Sequence, residues 1–123
     1  MKTGEEVKNR ALQLLNYTDQ DGRLDASMYT DILARSLALV NQIYGDLWYA
    51  LHRVGFCELA SLGETIDLPE ALIHEAMPYG VAMLMAQTIG DGDNQALMTD
   101  MYNQKRAALT HWRRRRDVLP RAI

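Results

Sequence analysis

The sequence lacks the features that mark several classes of protein. Its 123 residues contain one cysteine, Cys57, which excludes an intrachain disulfide and fits a reducing compartment. The longest uncharged apolar run, residues 76–86, is too short to cross a bilayer and is interrupted by Pro78 and Gly80. The opening residues are polar and charged, so we expect no signal peptide. These absences predict a soluble, intracellular protein with no membrane partner.

The composition is that of one folded domain with an uneven distribution of charge. Hydrophobic residues make up 48% of the chain and charged residues 24%, which excludes a disordered polyelectrolyte. The net charge is −3. Residues 1–100 hold 6 basic and 15 acidic side chains, a balance of −9, whereas residues 101–123 hold 7 basic and 1 acidic, a balance of +6. Such a chain can meet an acidic surface with its C-terminal end.

Local signals predict an all-α fold. Thr3 and Glu6 have the spacing of a capping box, Leu68-Pro69 follows a capping Asp67, and Pro78 predicts a break near residue 77. The predicted helices cover residues 4–16, 28–54, 69–76, 78–89 and 93–115. We therefore expect a single-domain bundle of four to five helices around a long central helix. Residues 1–111 would form the helical domain and residues 112–123 a basic C-terminal tail.

The predicted helix at residues 28–54 is apolar over most of its circumference. Its polar side chains fall on one narrow face, at Asp31, Arg35, Gln42, Asp46 and Arg53. One neighbour cannot cover so broad an apolar surface, so the helix is either central or partly covered by another subunit. For the second case, the predicted subunit interface consists of Tyr44, Trp48 and Leu51.

No spacing in the sequence assembles a catalytic, cofactor or metal site. His52, His74 and His111 fall on three different predicted helices, and His74-Glu75 lacks a second histidine one turn away. The segment 19–25 resembles part of a calcium loop. Its register would place Tyr17 and Met28 at the first and twelfth ligand positions, where carboxylates are needed. We interpret it as a polar turn and expect no catalytic residue, cofactor or metal.

The run of four arginines near the C-terminus has two interpretations. It can be a solvated helix end whose cations complement the helix dipole. It can also dock on an acidic protein surface or on phosphate, because four consecutive arginines exceed what the dipole needs. The acidic balance of the remaining chain disfavours broad nucleic-acid binding. The candidate docking residues are Trp112, Arg113, Arg114, Arg115 and Arg116.

Several segments together resemble a family of small phage proteins. They are TGEEVKNRALQLLNYTD, LALVNQIYGDLWY, IDLPEALIHEAMPYGVAMLMAQTIGDGD and MYNQKRAAL, and they span residues 3–110. The most specific parts are Leu68-Pro69, Pro78-Tyr79-Gly80, the Gly-Asp turn at 90–93 and residues 102–106. In these parts the chain resembles the head–tail connector (adaptor) proteins of tailed phages and prophages of Gram-positive bacteria.

The resemblance implies a structural subunit without enzymatic activity. Such proteins form rings of about a dozen copies that sit below the portal protein. The ring continues the channel for viral DNA, without sequence-specific binding, toward a stopper or tail-completion protein. The expected location is the virion head–tail interface, after assembly in the host cytoplasm. In relatives the C-terminal segment reaches the portal, which here would be residues 112–123. The alternative from another class is a DNA-binding packaging accessory protein resembling a small terminase subunit.

Overall fold

A computed structural model describes the backbone of residues 2–17 and 26–122, and the side chains of residues 2–17 and 30–110. Within these ranges the chain forms helices and no strand, which confirms the predicted all-helical, single-domain bundle. The helices are α1 Gly4–Leu15, α2 Ala26–Ala50, α3 Glu70–Glu75, α4 Met77–Ile89 and α5 Gly92–Ala122. Residues 51–69, here called the connector, join α2 to α3.

Helix α1 begins at its predicted cap and is tied to the connector. The Thr3 hydroxyl accepts a hydrogen bond from the Glu6 backbone N–H at 3.3 Å, as the capping-box spacing predicted. The Glu6 carboxylate pairs with Lys2 at 3.2 Å. The backbone N–H of Glu5 donates to the carbonyl of Leu62 at 2.8 Å. The connector thus supplies an acceptor for one of the free N–H groups at the start of the helix.

Helix α2 ends four residues earlier than predicted, and Gly55 does not end it. The chain turns at His52, whose φ of 61° lies in the left-handed region. The N–H of His52 donates to the carbonyl of Tyr49 at 2.9 Å, and the N–H of Arg53 donates to that of Trp48 at 3.3 Å. This is the hydrogen-bond pattern of a Schellman motif, formed here by histidine in a position that usually holds glycine.

The remaining helix boundaries follow the local signals. Pro78 is the second residue of α4, where its missing N–H costs no intrahelical hydrogen bond, and α3 and α4 are separated only by Ala76. Gly90 ends α4 with a φ of 75°. The Asp91 carboxylate then accepts from the backbone N–H of Asn94 at 3.3 Å and from the hydroxyl of Tyr17 at 2.7 Å. The Tyr17 hydrogen bond, followed by those from Asn94, lowers the pKa of Asp91.

Helix α5 is longer than predicted. We expected it to end near residue 115, but its backbone remains helical to Ala122. The predicted boundary between residues 111 and 112 therefore falls inside one continuous helix. Arginine, which is frequent in residues 113–121, is a good helix former, and Pro120 lies within the last turn.

The centre of the bundle is α4 and not the long helix α2. Helix α4 contacts all four other helices, whereas α2 packs mainly on α4 and α1. Small side chains make this possible, because Gly80, Ala82 and Ala86 let neighbouring backbones approach α4 from several sides. Val81 and Met85 are fully buried between them. The exposed side of α2 keeps the predicted polar positions Asp31, Arg35, Gln42 and Asp46.

Candidate interaction surface

An open groove of about 750 Å³ runs along the exposed side of α2. Helix α2 forms its floor, the connector forms one wall, and α4 with α5 forms the other. Among the described residues that line it, none is basic and two are acidic, Asp46 and Glu58. The apolar and aromatic lining residues include Ala38, Tyr49, Phe56, Met83 and Tyr102. We call this feature the α2 groove.

An aromatic cluster fixes the connector wall of the α2 groove. The ring centroid of Phe56 lies 5.0 Å from that of Tyr44, in a T-shaped arrangement. The ring centroids of Trp48 and Tyr49 are farther from it, at 6.1 Å and 6.2 Å. Gly45 allows this contact, since a Cβ there would lie 3.3 Å from the Phe56 ring. The wall therefore depends on a glycine in the middle of α2.

Polar contacts, of which those of Asn41 are buried, hold the connector against α2. The Asn41 side chain donates to the carbonyl of Leu59 at 3.0 Å and accepts from its N–H at 2.7 Å, so both polar atoms of the amide are paired. The Tyr44 hydroxyl accepts from the backbone N–H of Asp67 at 3.1 Å. The Arg53 guanidinium donates to the carbonyl of Asp67 at 2.9 Å. These contacts position a segment that has no regular secondary structure of its own.

A charged network forms the other wall, where α5 meets α2. The Asp46 carboxylate accepts from the Tyr102 hydroxyl at 2.5 Å and from Arg106 Nε at 2.8 Å. Burial, and then the Asp46 carboxylate, raise the pKa of Tyr102. The hydrogen bond to Asp46 likewise raises the pKa of Arg106. Tyr102 therefore stays a neutral donor and Arg106 a cation at every physiological pH.

The three residues predicted as a subunit interface lie near the C-terminal end of α2, with Leu51 as the first residue of the connector. Tyr44 is only 4% exposed and is covered by the connector of its own chain, so it offers little surface to a second subunit. Trp48 and Leu51 are half-buried against the same core. Trp48 also stacks under Arg53, whose guanidinium carbon is 4.9 Å from the ring centroid.

The exposed aromatic residue of this surface is Tyr49, which the sequence analysis did not select. Its side chain is 60% exposed and lines the α2 groove. A signal was present, because Tyr49 follows Gln42 and Asp46 at helical spacing and so falls on the polar face of α2. A large aromatic side chain on a polar face indicates an interaction surface better than one on the buried face.

Two other predicted features lie wholly or partly outside the described residues. The polar turn at 19–25 falls in the segment that the structure does not describe. Residues 112–116 lie on the helical backbone of α5, but their side chains are outside the described part. Whether Trp112 and the arginines after it dock on a partner stays a prediction.

A smaller cavity, of about 150 Å³, lies between α1 and the start of α4. Lys2, Arg10 and His74 line it together with Glu6, which pairs with Lys2. Among the described side chains, those of residues 2–17 and 30–110, no three His, Cys, Asp or Glu groups come together as metal ligands would. The described backbone, residues 2–17 and 26–122, contains no helix with the length and hydropathy needed to cross a membrane.

Comparisons with known proteins return no family model, no curated protein and no solved structure that matches this chain.

Proposed function

We propose that this protein is a non-enzymatic head–tail connector subunit of a tailed phage or prophage. Copies of the chain assemble into a ring that docks on the portal protein and recruits a stopper or tail-completion protein. Viral DNA passes through the ring without sequence-specific binding. The site of action is the head–tail interface of the virion, after assembly in the host cytoplasm.

The observation that carries the proposal is that residues of the resembling segments contact one another where the helices pack. A Cβ at Gly80 would lie 2.8 Å from the Tyr102 ring, so these two motif residues set the spacing of α4 and α5. The Lys105 ammonium lies 5.2 Å from the ring centroid of Tyr79, and Arg106 pairs with Asp46. The motifs thus specify helix packing, as expected of a family that shares a scaffold and not a reaction.

Surface and charge also suit a ring that surrounds DNA. A ring subunit needs partner surface beyond its own core, and the α2 groove offers exposed aromatic surface beside carboxylates. Residues 1–100 carry a balance of −9, so a ring of such bodies repels a passing duplex and prevents it from sticking.

The rival function, a DNA-packaging accessory protein, is favoured only by the run at 113–116. A helix-turn-helix would have to use the junction of α4 and α5, which is the compact turn at Gly90 and Asp91. The N-terminal turn of the second helix would then enter the major groove. In this chain that turn carries Asp91 and Asp93, which repel phosphate.

The test is assembly of the full-length chain with purified portal protein. Negative-stain electron microscopy should show rings at high protein concentration or stacked on portal particles, with portal alone as the control. A protein that remains monomeric and ignores portal contradicts the proposal. A salt titration of DNA binding addresses the rival, because a packaging protein binds DNA at low salt with a steep dependence on salt concentration.

A further inference from the structure

The lining of the α2 groove is suited to bind a helix that carries basic side chains and an apolar or aromatic anchor. Its lining is mostly apolar and aromatic, with the polar side chains of Asn41 and Gln42 on the floor, and its charged lining groups, Asp46 and Glu58, are both acidic. Asp46 already binds Arg106 of its own chain. The Glu58 side chain is exposed on the connector wall and, of the two acidic lining residues, is the one with no ion pair to another described residue, so it can meet an incoming cation. An occupant should therefore combine an aromatic or aliphatic anchor with arginine.

One segment of this chain has that chemistry. Trp112 is followed directly by four arginines at 113–116, and residues 112–122 hold 5 basic and 1 acidic side chains, a balance of +4. Trp and Arg are the residue types that most often anchor protein interfaces. An arginine guanidinium can also bind a carboxylate through two parallel hydrogen bonds. The positive charge of the segment complements the acidic lining residues of the groove, and its tryptophan complements the apolar and aromatic ones.

The segment cannot fill the groove of its own chain. Tyr102 is part of the groove wall, and α5 continues from it as a single helix to Ala122. At a rise of about 1.5 Å per residue, Trp112 lies about 15 Å and Ala122 about 30 Å farther along the helix axis. Folding back would require a break that the helical backbone does not contain. The groove and the segment can therefore meet only between two copies.

We infer that the α2 groove of one subunit binds the C-terminal end of α5, residues 112–122, of a second copy. The inference rests on the proposed function and deepens it by naming the contact between neighbouring subunits. Groove and helix end are different surfaces, so the contact is head-to-tail. A head-to-tail contact forms a ring when the rotation between neighbouring subunits closes, as the proposed function requires, and an open filament when it does not.

A charge exchange tests the contact directly. Glu58→Arg and Arg114→Glu should each weaken self-association by about tenfold or more, measured by sedimentation at low salt. The double variant should recover part of the loss, because a carboxylate of the segment can again pair with a guanidinium on the groove wall. Glu75→Arg is the matched control, since Glu75 is exposed on α3 outside the groove, and it should leave association unchanged. Circular dichroism verifies that each variant is folded.

The native thiol provides a second, geometric test. Cys57 is exposed and lies between two groove residues, Phe56 and Glu58. With Asp117→Cys added, a bismaleimide should link the chains into a ladder of dimers, trimers and longer species. The wild-type chain can form only Cys57–Cys57 dimers, and Cys57→Ser in the Asp117→Cys protein should abolish the ladder. The reaction is run on concentrated protein and on protein assembled with portal.

The outcomes separate this inference from the proposed function. If rings form on portal but no ladder appears and the charge exchange fails, the groove contact is wrong while the connector function stands. If the thiol introduced by Asp117→Cys links to portal and not to Cys57, the basic end docks on portal and the inference is also overturned. If the protein forms no rings and does not bind portal, the connector function itself fails.

Discussion

Replacing Gly80 with alanine should destabilise the protein, although alanine is the better helix former. Gly80 lies in α4, the helix that contacts all the others. A Cβ at this position would lie 2.8 Å from Tyr102 Cε1, 2.9 Å from Tyr102 Cδ1 and 3.0 Å from Ile43 Cδ1. Carbon atoms in contact are normally about 3.5–4.0 Å apart, so the overlap with the ring is about 0.7 Å.

The Tyr102 ring cannot move aside at low cost. It is 4% exposed, and its hydroxyl donates to the Asp46 carboxylate at 2.5 Å. Overpacking costs about 1–3 kcal/mol, and losing a hydrogen bond to a charged group costs about 1.5–3 kcal/mol. The gain in helix propensity from glycine to alanine returns about 1 kcal/mol. We expect Gly80→Ala to lower the free energy of unfolding by about 2–4 kcal/mol.

Urea unfolding followed by circular dichroism measures this loss, and a second substitution tests its cause. In a Tyr102→Ala background the two closest atoms are absent. The remaining neighbour, Ile43 Cδ1, is the end of a flexible side chain. Gly80→Ala should then be neutral or stabilising by up to about 1 kcal/mol, so the sign of its effect should reverse.

The control is Gly92→Ala at the start of α5, where an added Cβ meets no atom within 4 Å. It should change the free energy of unfolding by no more than about 1 kcal/mol, toward stability. The reasoning is refuted if Gly80→Ala alone does not destabilise the protein. It is also refuted if the loss is equally large when Tyr102 is alanine.

Three further predictions concern the connector, the cap of α5 and the end of α2. Asn41→Leu should lower the free energy of unfolding by about 2–4 kcal/mol and speed hydrogen exchange of the Leu59 amide, because the Leu59 N–H and C=O lose their partners. The pKa of Asp91 is lower in the folded state than the ordinary carboxyl value of about 3.9, so the ionised carboxylate stabilises the folded protein. This contribution is present above that ordinary value and is lost as the pH falls through the lower pKa of the folded state. The stability advantage of wild type over Asp91→Asn in urea unfolding should therefore be constant above about pH 5 and shrink as the pH falls below about 3.9. His52→Gly should raise the thermal midpoint and stabilise by about 1 kcal/mol, since it relieves a left-handed φ, whereas Gly55→Ala, at a φ of 73°, should destabilise.

Each of these has a result that contradicts it. Unchanged exchange at Leu59 in the Asn41 variant would show that the side-chain amide does not hold the connector. An advantage over the Asp91 variant that stays constant with pH would mean that its carboxylate gains nothing from its partners. A His52→Gly variant that is less stable than wild type would refute the strain argument at residue 52, whatever the effect of Gly55→Ala.

The helix starts were predictable because their causes lie within a few residues. The Thr3 cap requires only the backbone N–H of Glu6, and Pro78 prevents α3 and α4 from forming one continuous helix whatever surrounds it. Gly90 ends α4 by its own backbone freedom. The all-α class follows from such signals together with helical periodicity, and neither requires knowledge of distant contacts.

The arrangement of the helices depended on contacts that no local pattern encodes. The apolar circumference of α2 predicted that it would be central, but the central helix is α4, which has no charged residue and whose Gly80, Ala82 and Ala86 let neighbouring helices approach it from several sides. Helix α2 ends at Ala50, and the chain turns at His52 so that Phe56 packs on Gly45.

The candidate site shows the same division. The charge contrast between residues 1–100 and 101–123 is fully determined by the sequence. Tertiary contacts alone determine that Tyr44 is buried under the connector, that Tyr49 is exposed and that Glu58 lies beside α2. A connector without regular structure lies wherever its few buried hydrogen bonds, such as those of Asn41, hold it. Those partners are 18 residues apart along the chain, a separation that helical periodicity cannot reveal.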